Sequence, residues 1–222
     1  MLKKVLSTAV LGVSALSVMA ANAAVPGVYV TGQLGYALTK PNLGLVTPDG
    51  KKTYKSVSKF NHNLDGRVAI GLEFNKNFGA EVGYLRLAKQ KQNSILFTPA
   101  SGFVGPNLAG SASIQQSAID LLGKGMIPVN DRFSLYAKAG LAYMITRIDG
   151  QYKSADEQLI PIDNKTAGVA EHKFAPEVAI GASYNVTQNV FVDTSLTHIQ
   201  PLGKNRPNNI DSLAIGLGYK FG

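Results

Sequence analysis

Chemistry in this chain could reside in two sets of residues. The first is the three histidines, His62, His172 and His198. The second is a set of charged residues recurring at alternate positions: Asp65, Arg67, Glu73, Glu81, Asp120, Lys124, Lys138, Glu177, Asp193 and Lys220. A histidine beside a serine would supply a nucleophile and its base. The residue two beyond His198 is Gln200, so that pairing is missing there. The histidines also lack the close spacing of a metal site, such as His-x-x-x-His. No catalytic residue, metal site or cofactor is expected. Nothing reads as a phosphate-cradling glycine loop or a nucleic-acid surface, and the basic pI reflects loops.

The alternating charges are the sharper pattern. In residues 64–74, LDGRVAIGLEF, Leu64, Val68, Ile70, Leu72 and Phe74 share one parity. Asp65, Arg67 and Glu73 share the other. A period of two is that of a β-strand, with one apolar and one charged face. A soluble sheet turns the charges outward, whereas a membrane barrel turns them inward.

The N-terminus sets the compartment. A basic MLKK is followed by the apolar run VLSTAVLGVSALSVM and by Ala21-Asn22-Ala23, a small-x-small site. This is the layout of a secretory signal peptide, residues 1–23, leaving 24–222 as one domain. Beyond it no apolar stretch approaches the ~20 residues of a helical span, but a tilted strand needs only about 9–11. The chain has no cysteine, 23 glycines and only 16% charged residues, which is little charge for a soluble β-protein.

Eight alternating segments lie near 27–38, 64–74, 78–87, 117–127, 133–146, 174–185, 190–199 and 212–221. Short turns rich in Asn and Asp alternate with longer loops, the hairpin rhythm of an up-and-down barrel. Three features turn the charges inward. Aromatic residues on the apolar parity fall in two bands: Phe133 and Tyr143 are ten residues apart, as are Phe174 and Tyr184. Ten residues at ~3.3 Å each and ~40° tilt climb roughly 25 Å, the height of a lipid-facing band. The polar parity is otherwise small (Gly35, Ala69, Gly71, Gly83, Gly181, Gly216), as a narrow interior requires. On the apolar parity charge is confined to Arg86 and Asp211 at the long-loop end, since a mid-bilayer charge costs about 2–4 kcal/mol. The expected fold is an all-β, eight-stranded antiparallel up-and-down transmembrane β-barrel.

The stretches FGAEVGYLRL (78–87), IDLLGKGMIPVNDRFSLYAKAGLAY (119–143), PEVAIGASYNVTQNVFVDTSLTHIQ (176–200) and LAIGLGYKF (213–221) together resemble the OmpA/OmpX-type eight-stranded outer-membrane barrels. The resemblance covers the transmembrane domain and not the peptidoglycan-binding domain that OmpA carries. It implies a location in the Gram-negative outer membrane after signal cleavage. It also implies outer-membrane lipid and lipopolysaccharide as surroundings, and the barrel-assembly machinery as a partner during biogenesis.

Inward charges must pair, because an unpaired buried charge costs several kcal/mol. The expected lumen salt-bridge network is Arg67, Glu81, Asp120, Lys124, Lys138, Glu177 and Asp193. Lys124 and Lys138 fall nearly opposite across the turn at Asn130, with Asp120, Glu81 and Glu177 as the anions they could share. By the resemblance such a network acts as a gate; the residues alone fit structural filling equally well. The first loop carries Lys51, Lys52 and Lys55, which could contact a polyanion such as lipopolysaccharide or a host-surface ligand. The leading functional expectation is a non-enzymatic envelope protein that supports membrane integrity and presents loops for adhesion. The alternatives are a small gated pore and, behind it, a lipid A-modifying enzyme.

Overall fold

The computed structural model describes residues 27–39, 44–46, 52–56, 62–99, 107–153 and 157–221. The expected signal segment, residues 1–23, lies outside them. Among the described residues the chain forms β1 (Val28–Leu38), β2 (Gly44–Val46), β3 (Lys52–Ser56), β4 (His62–Glu73), β5 (Phe78–Leu87) and β6 (Gln90–Pro99). It continues with β7 (Leu108–Pro128), β8 (Phe133–Lys153), β9 (Leu159–Ile162), β10 (His172–Asn185), β11 (Val190–Ile199) and β12 (Ile210–Lys220). Eight of these, β1, β4, β5, β7, β8, β10, β11 and β12, pair antiparallel in that order. β12 returns to β1 from Tyr29↔Lys220 to Leu38↔Asp211 and closes the ring. Closure leaves no barrel strand with an open edge, the condition for crossing hydrocarbon with strands.

Burial is inverted relative to a protein in water. Leu34 is 76% exposed and Val68 60%, whereas the neighbouring Arg67 is 7% exposed. The apolar face of every barrel strand therefore points to lipid and the charged face to the lumen. Phe74, Phe78, Tyr184 and Tyr219 ring the short-turn end, and Tyr36, Tyr84 and Phe174 the other. Within these rings Tyr143 packs on Phe174 (5.0 Å between centroids) and Tyr219 on Phe221 (5.2 Å).

The three short turns use one device. Asn75 Oδ1 accepts from the backbone N–H of Asn77 (2.8 Å) and Phe78 (2.9 Å). Asn130 Oδ1 does the same for Arg132 (2.9 Å) and Phe133 (2.8 Å). Thr187 Oγ1 takes that place for Asn189 (3.3 Å) and Val190 (2.9 Å). Each side chain stands in for a backbone acceptor and fixes the register of its hairpin.

Inside, glycines make room for rings. Tyr29, Tyr136 and Phe191 each bring the outer end of the ring over the glycine paired with them on the next strand: Gly71, Gly181 and Gly218. A Cβ at any of the three would overlap the ring. The small residues of the polar parity thus serve the large ones, an arrangement that pins strand register.

The long connections are not all loop. β7 and β8 each run 21 residues, about twice what a crossing needs. Their outer halves continue as a ladder to Gly110↔Tyr152, and β6 adds to β7 while β9 adds to β8. With β2 and β3 beyond β6, the outer end is a sheet in the order β2-β3-β6-β7-β8-β9. It has its own apolar core, including Ile95, Phe97, Leu108, Ile114, Ile148 and Ile162. The sequence alone places the loop-side ends of these two strands at 117 and 146, with 88–116 a loop, so the structure extends both outward. β6 shows no period of two, because QKQNSILFTP begins with five polar residues and then runs three apolar ones together.

Spin labels at Val68, Ile70 and Leu217 should be relaxed by a lipid-soluble quencher. Labels at Ala179 and Glu177 should be shielded. The reverse pattern in refolded protein would reject this orientation of the wall.

Candidate functional site

The lumen is organised around Arg67 on β4. Its Nη2 and Nε donate to Asp120 Oδ1 (2.6 Å) and Oδ2 (3.2 Å) on β7, a two-pronged pair. Its Nη1 donates to Glu81 Oε1 (2.6 Å) on β5. Glu81 also accepts from Lys138 Nζ on β8 (2.9 and 3.0 Å) and from Tyr29 OH on β1 (2.8 Å). Glu81 is 1% exposed and Asp120 2%, so water contributes little and these partners supply the solvation.

Lys124 and Lys138 are direct cross-strand partners. Their like charges are kept apart by different anions and a shared ring. Lys138 goes to Glu81, whereas Lys124 approaches Glu73 (3.7 Å) and Tyr29 OH (3.4 Å). Both ammonium groups sit over the Tyr136 ring, at 5.1 Å and 4.8 Å from its centroid. Lys220 closes the short-turn end on Glu73 (3.2 Å).

The structure brings Arg67, Glu81, Asp120 and Lys138 together as one ion-paired cluster. Glu177 and Asp193 share the lumen but make no salt bridge among the described residues. Asp193 accepts from Gln33 Nε2, and Gln33 also reaches Ser195. Glu177 is 2% exposed with Oε2 unpartnered, in electrostatic reach of Asp120, Arg67 and Lys138. Asp65 is held by Ser212 Oγ (2.5 Å). Sequence reasoning missed Tyr29, Gln33 and Tyr136, uncharged residues whose lumenal parity was the available signal. It missed also that Lys124 turns to Glu73.

Toward the outer end the lumen changes character. Leu85, Leu87, Met144, Ile199 and Ile210, with Ala37, Ala118, Ala142 and Ala175, form a buried apolar layer across it. The barrel is therefore closed twice, by ion pairs and then by packed hydrocarbon. Above that layer a cavity of about 360 Å³ sits at the outer mouth, lined by residues from β7, β8 and the segments near 167–169 and 200–209.

Lys51 lies outside the described residues. Lys52 and Lys55 lie on β3, but their side chains, like that of His62, are outside the described set. His172 stacks on Tyr143 (5.7 Å). His198 Nδ1 meets Asp211 Oδ1 at 2.5 Å on the outer wall, the two being cross-strand partners.

A closed eight-stranded wall, apolar outside and ion-paired within, defines an outer-membrane barrel. The chain belongs to the outer membrane protein beta-barrel domain family, which matches residues 8–221. An uncharacterized protein of Coxiella burnetii is 31% identical over 216 residues, covering 88% of this chain and 85% of its own. Among solved structures, Neisserial surface protein A shares 16% identity over 88% of this chain and 97% of its own, with a TM-score of 0.55. OprG of Pseudomonas aeruginosa shares 17% over 88% of this chain and 96% of its own, with a TM-score of 0.53. At such identities these two structures speak to the fold.

Arg67→Met leaves Asp120 without its ion-pair partner, and removing one member of a buried pair costs about 3–5 kcal/mol. The loss should appear as a lower urea midpoint for unfolding from lipid vesicles. Adding Asp120→Leu should recover a good part of it. A double variant as unstable as the sum of the two singles would show that the pair is not coupled.

Proposed function

We propose that this protein is a closed outer-membrane barrel that supports the envelope and presents its outer β-sheet for attachment. The observation that carries the reading is the length of β7 and β8. Each continues well past the outer aromatic ring, and together they carry a strand-paired sheet with an apolar core. A rigid sheet held clear of the membrane offers a preordered surface, which lowers the ordering cost of binding. The double closure of the lumen supports the same reading, since an open pathway needs neither layer.

Lys51, Lys52 and Lys55 are the proposed contacts to a polyanionic ligand, whether lipopolysaccharide or a host surface. Ion pairs at protein surfaces contribute about 0.2–1 kcal/mol each, so changing all three lysines to Gln is expected to weaken binding to immobilised dextran sulfate by roughly tenfold. Wild-type binding should also fall steeply with salt, as charges are screened over about 8–10 Å. Salt-insensitive binding, or a triple variant that binds equally well, would remove the proposal.

A gated pore is favoured by one observation, the unpartnered carboxylate of Glu177 near Arg67 and Lys138. A cation leaving Glu81 would find an acceptor there, so two paired arrangements are available. In planar bilayers this reading expects rare small openings in wild type and more frequent, cation-preferring ones in Lys138→Glu. Equal silence of both across voltages would leave the closed barrel alone.

A further inference from the structure

The cavity at the outer mouth has features that neither packing nor attachment through lysines explains. Its volume, about 360 Å³, is within the roughly 300–1,000 Å³ of small-molecule sites. Its floor is the cross-strand pair Gln116↔Thr146, both buried, at 5% and 2% exposure. Thr146 Oγ1 has no hydrogen-bond partner among the described residues. An orphaned buried hydroxyl is costly, and one that lines a cavity is an acceptor and donor waiting for a guest.

The walls are built. Asn164 fastens the 163–169 turn to β8, donating to Thr146 O (2.8 Å) and accepting from Ile148 N–H (2.9 Å). Asp163 caps that turn through Thr166, and those hydrogen bonds hold its carboxyl below the ordinary range. Ala170 N–H donates to Asn205 O (2.7 Å) and ties this wall to the opposite one. Asn205 itself takes a left-handed backbone (φ 53°), as does Gly203 (φ 87°). Below, the apolar layer separates the cavity from the ion pairs.

The lining chemistry selects a guest. Gln116, Thr146, Gln200, Asn208 and Asn209 both donate and accept, which matches hydroxyl groups that also do both. Ile114, Ile148 and Val169 supply an apolar strip for a C–H face. Among the described residues Arg206 is the one charged lining residue, and no carboxylate accompanies it there. Its Nη1 donates to Pro201 O (3.3 Å), which orients the guanidinium and leaves its other donors available.

We propose that this cavity binds a sugar ring carrying a single carboxylate. Such rings occur both in the bacterium's own lipopolysaccharide core and on host glycans. The assignment rests on the reading of the outer end as the working face. The test is saturation-transfer NMR and calorimetry on the full refolded barrel in detergent, with 3-deoxy-octulosonate, sialyllactose and neutral lactose as probes. At least one acidic probe should bind, and lactose at least tenfold more weakly. Binding of 3-deoxy-octulosonate alone assigns the core sugar; binding of sialyllactose alone assigns the host glycan. Thr146→Val, nearly the same shape, should weaken the acidic probe severalfold. Arg206→Gln should reduce it to the level of lactose, with heat-modifiable gel mobility unchanged in both. Equal binding of lactose, or undiminished binding by Thr146→Val, would overturn the site. Acidic-sugar binding that survives while dextran sulfate is not retained would remove the lysine proposal and leave this one standing.

Discussion

The lumen depends on Arg67. One planar guanidinium joins β4 to β5 and β7, and through Glu81 the same set reaches β8 and β1. Five of the eight barrel strands are thus fastened to one another across the interior by side chains. Of the remaining three, β11 is drawn in by Gln33 to Asp193 and Ser195 and by Tyr136 OH to Thr194 O (2.8 Å), and β12 by Ser212 to Asp65, while β10 contributes Glu177 through charge alone. Lipid outside supplies no such cross-links, because apolar side chains gain nothing from one another that they do not also gain from acyl chains. The side-chain ties that reach beyond adjacent strands are therefore inside it.

The wall itself was legible in the sequence because its signal is local. A period of two, small turn residues and charge confined to one parity are readable within ten or twelve residues, and all eight barrel strands follow from them. Parity also assigns Arg67, Glu81, Asp120, Lys124, Lys138, Glu177 and Asp193 to the interior. It does not say which will meet. Arg67 and Asp120 stand 53 residues apart, and their contact depends on the stagger of three strands, a property no single segment carries. The apolar layer was hidden for a related reason: Leu85 and Leu87 sit on the charged parity and gain meaning only beside Met144, Ile199 and Ile210. The outer sheet was hidden because its strands are short or mixed and derive their order from pairing with β7 and β8.

The two closures of the lumen differ in kind. The ion-paired cluster is directional: each member has a few defined partners, and substituting one changes what its neighbours can do. The apolar layer is tolerant of rearrangement, since its contacts have no preferred angle. Together they separate the periplasmic side from the outer mouth. The chemistry of the mouth is then free to differ from that of the interior, amides and hydroxyls above, carboxylates and cations below.

The seam between β1 and β12 brings the first described strand beside the last. A ring closed by its two ends cannot be completed until the final segment has been made and delivered. Contacts so distant along the chain are slow to form, since the intervening loop entropy is lost before they contribute. Until that moment the carboxylates and ammonium groups of the interior have neither partners nor a wall around them, and hydrocarbon would reject them singly. The strands must therefore enter the bilayer as a nearly finished cylinder, its charges already matched, rather than one after another.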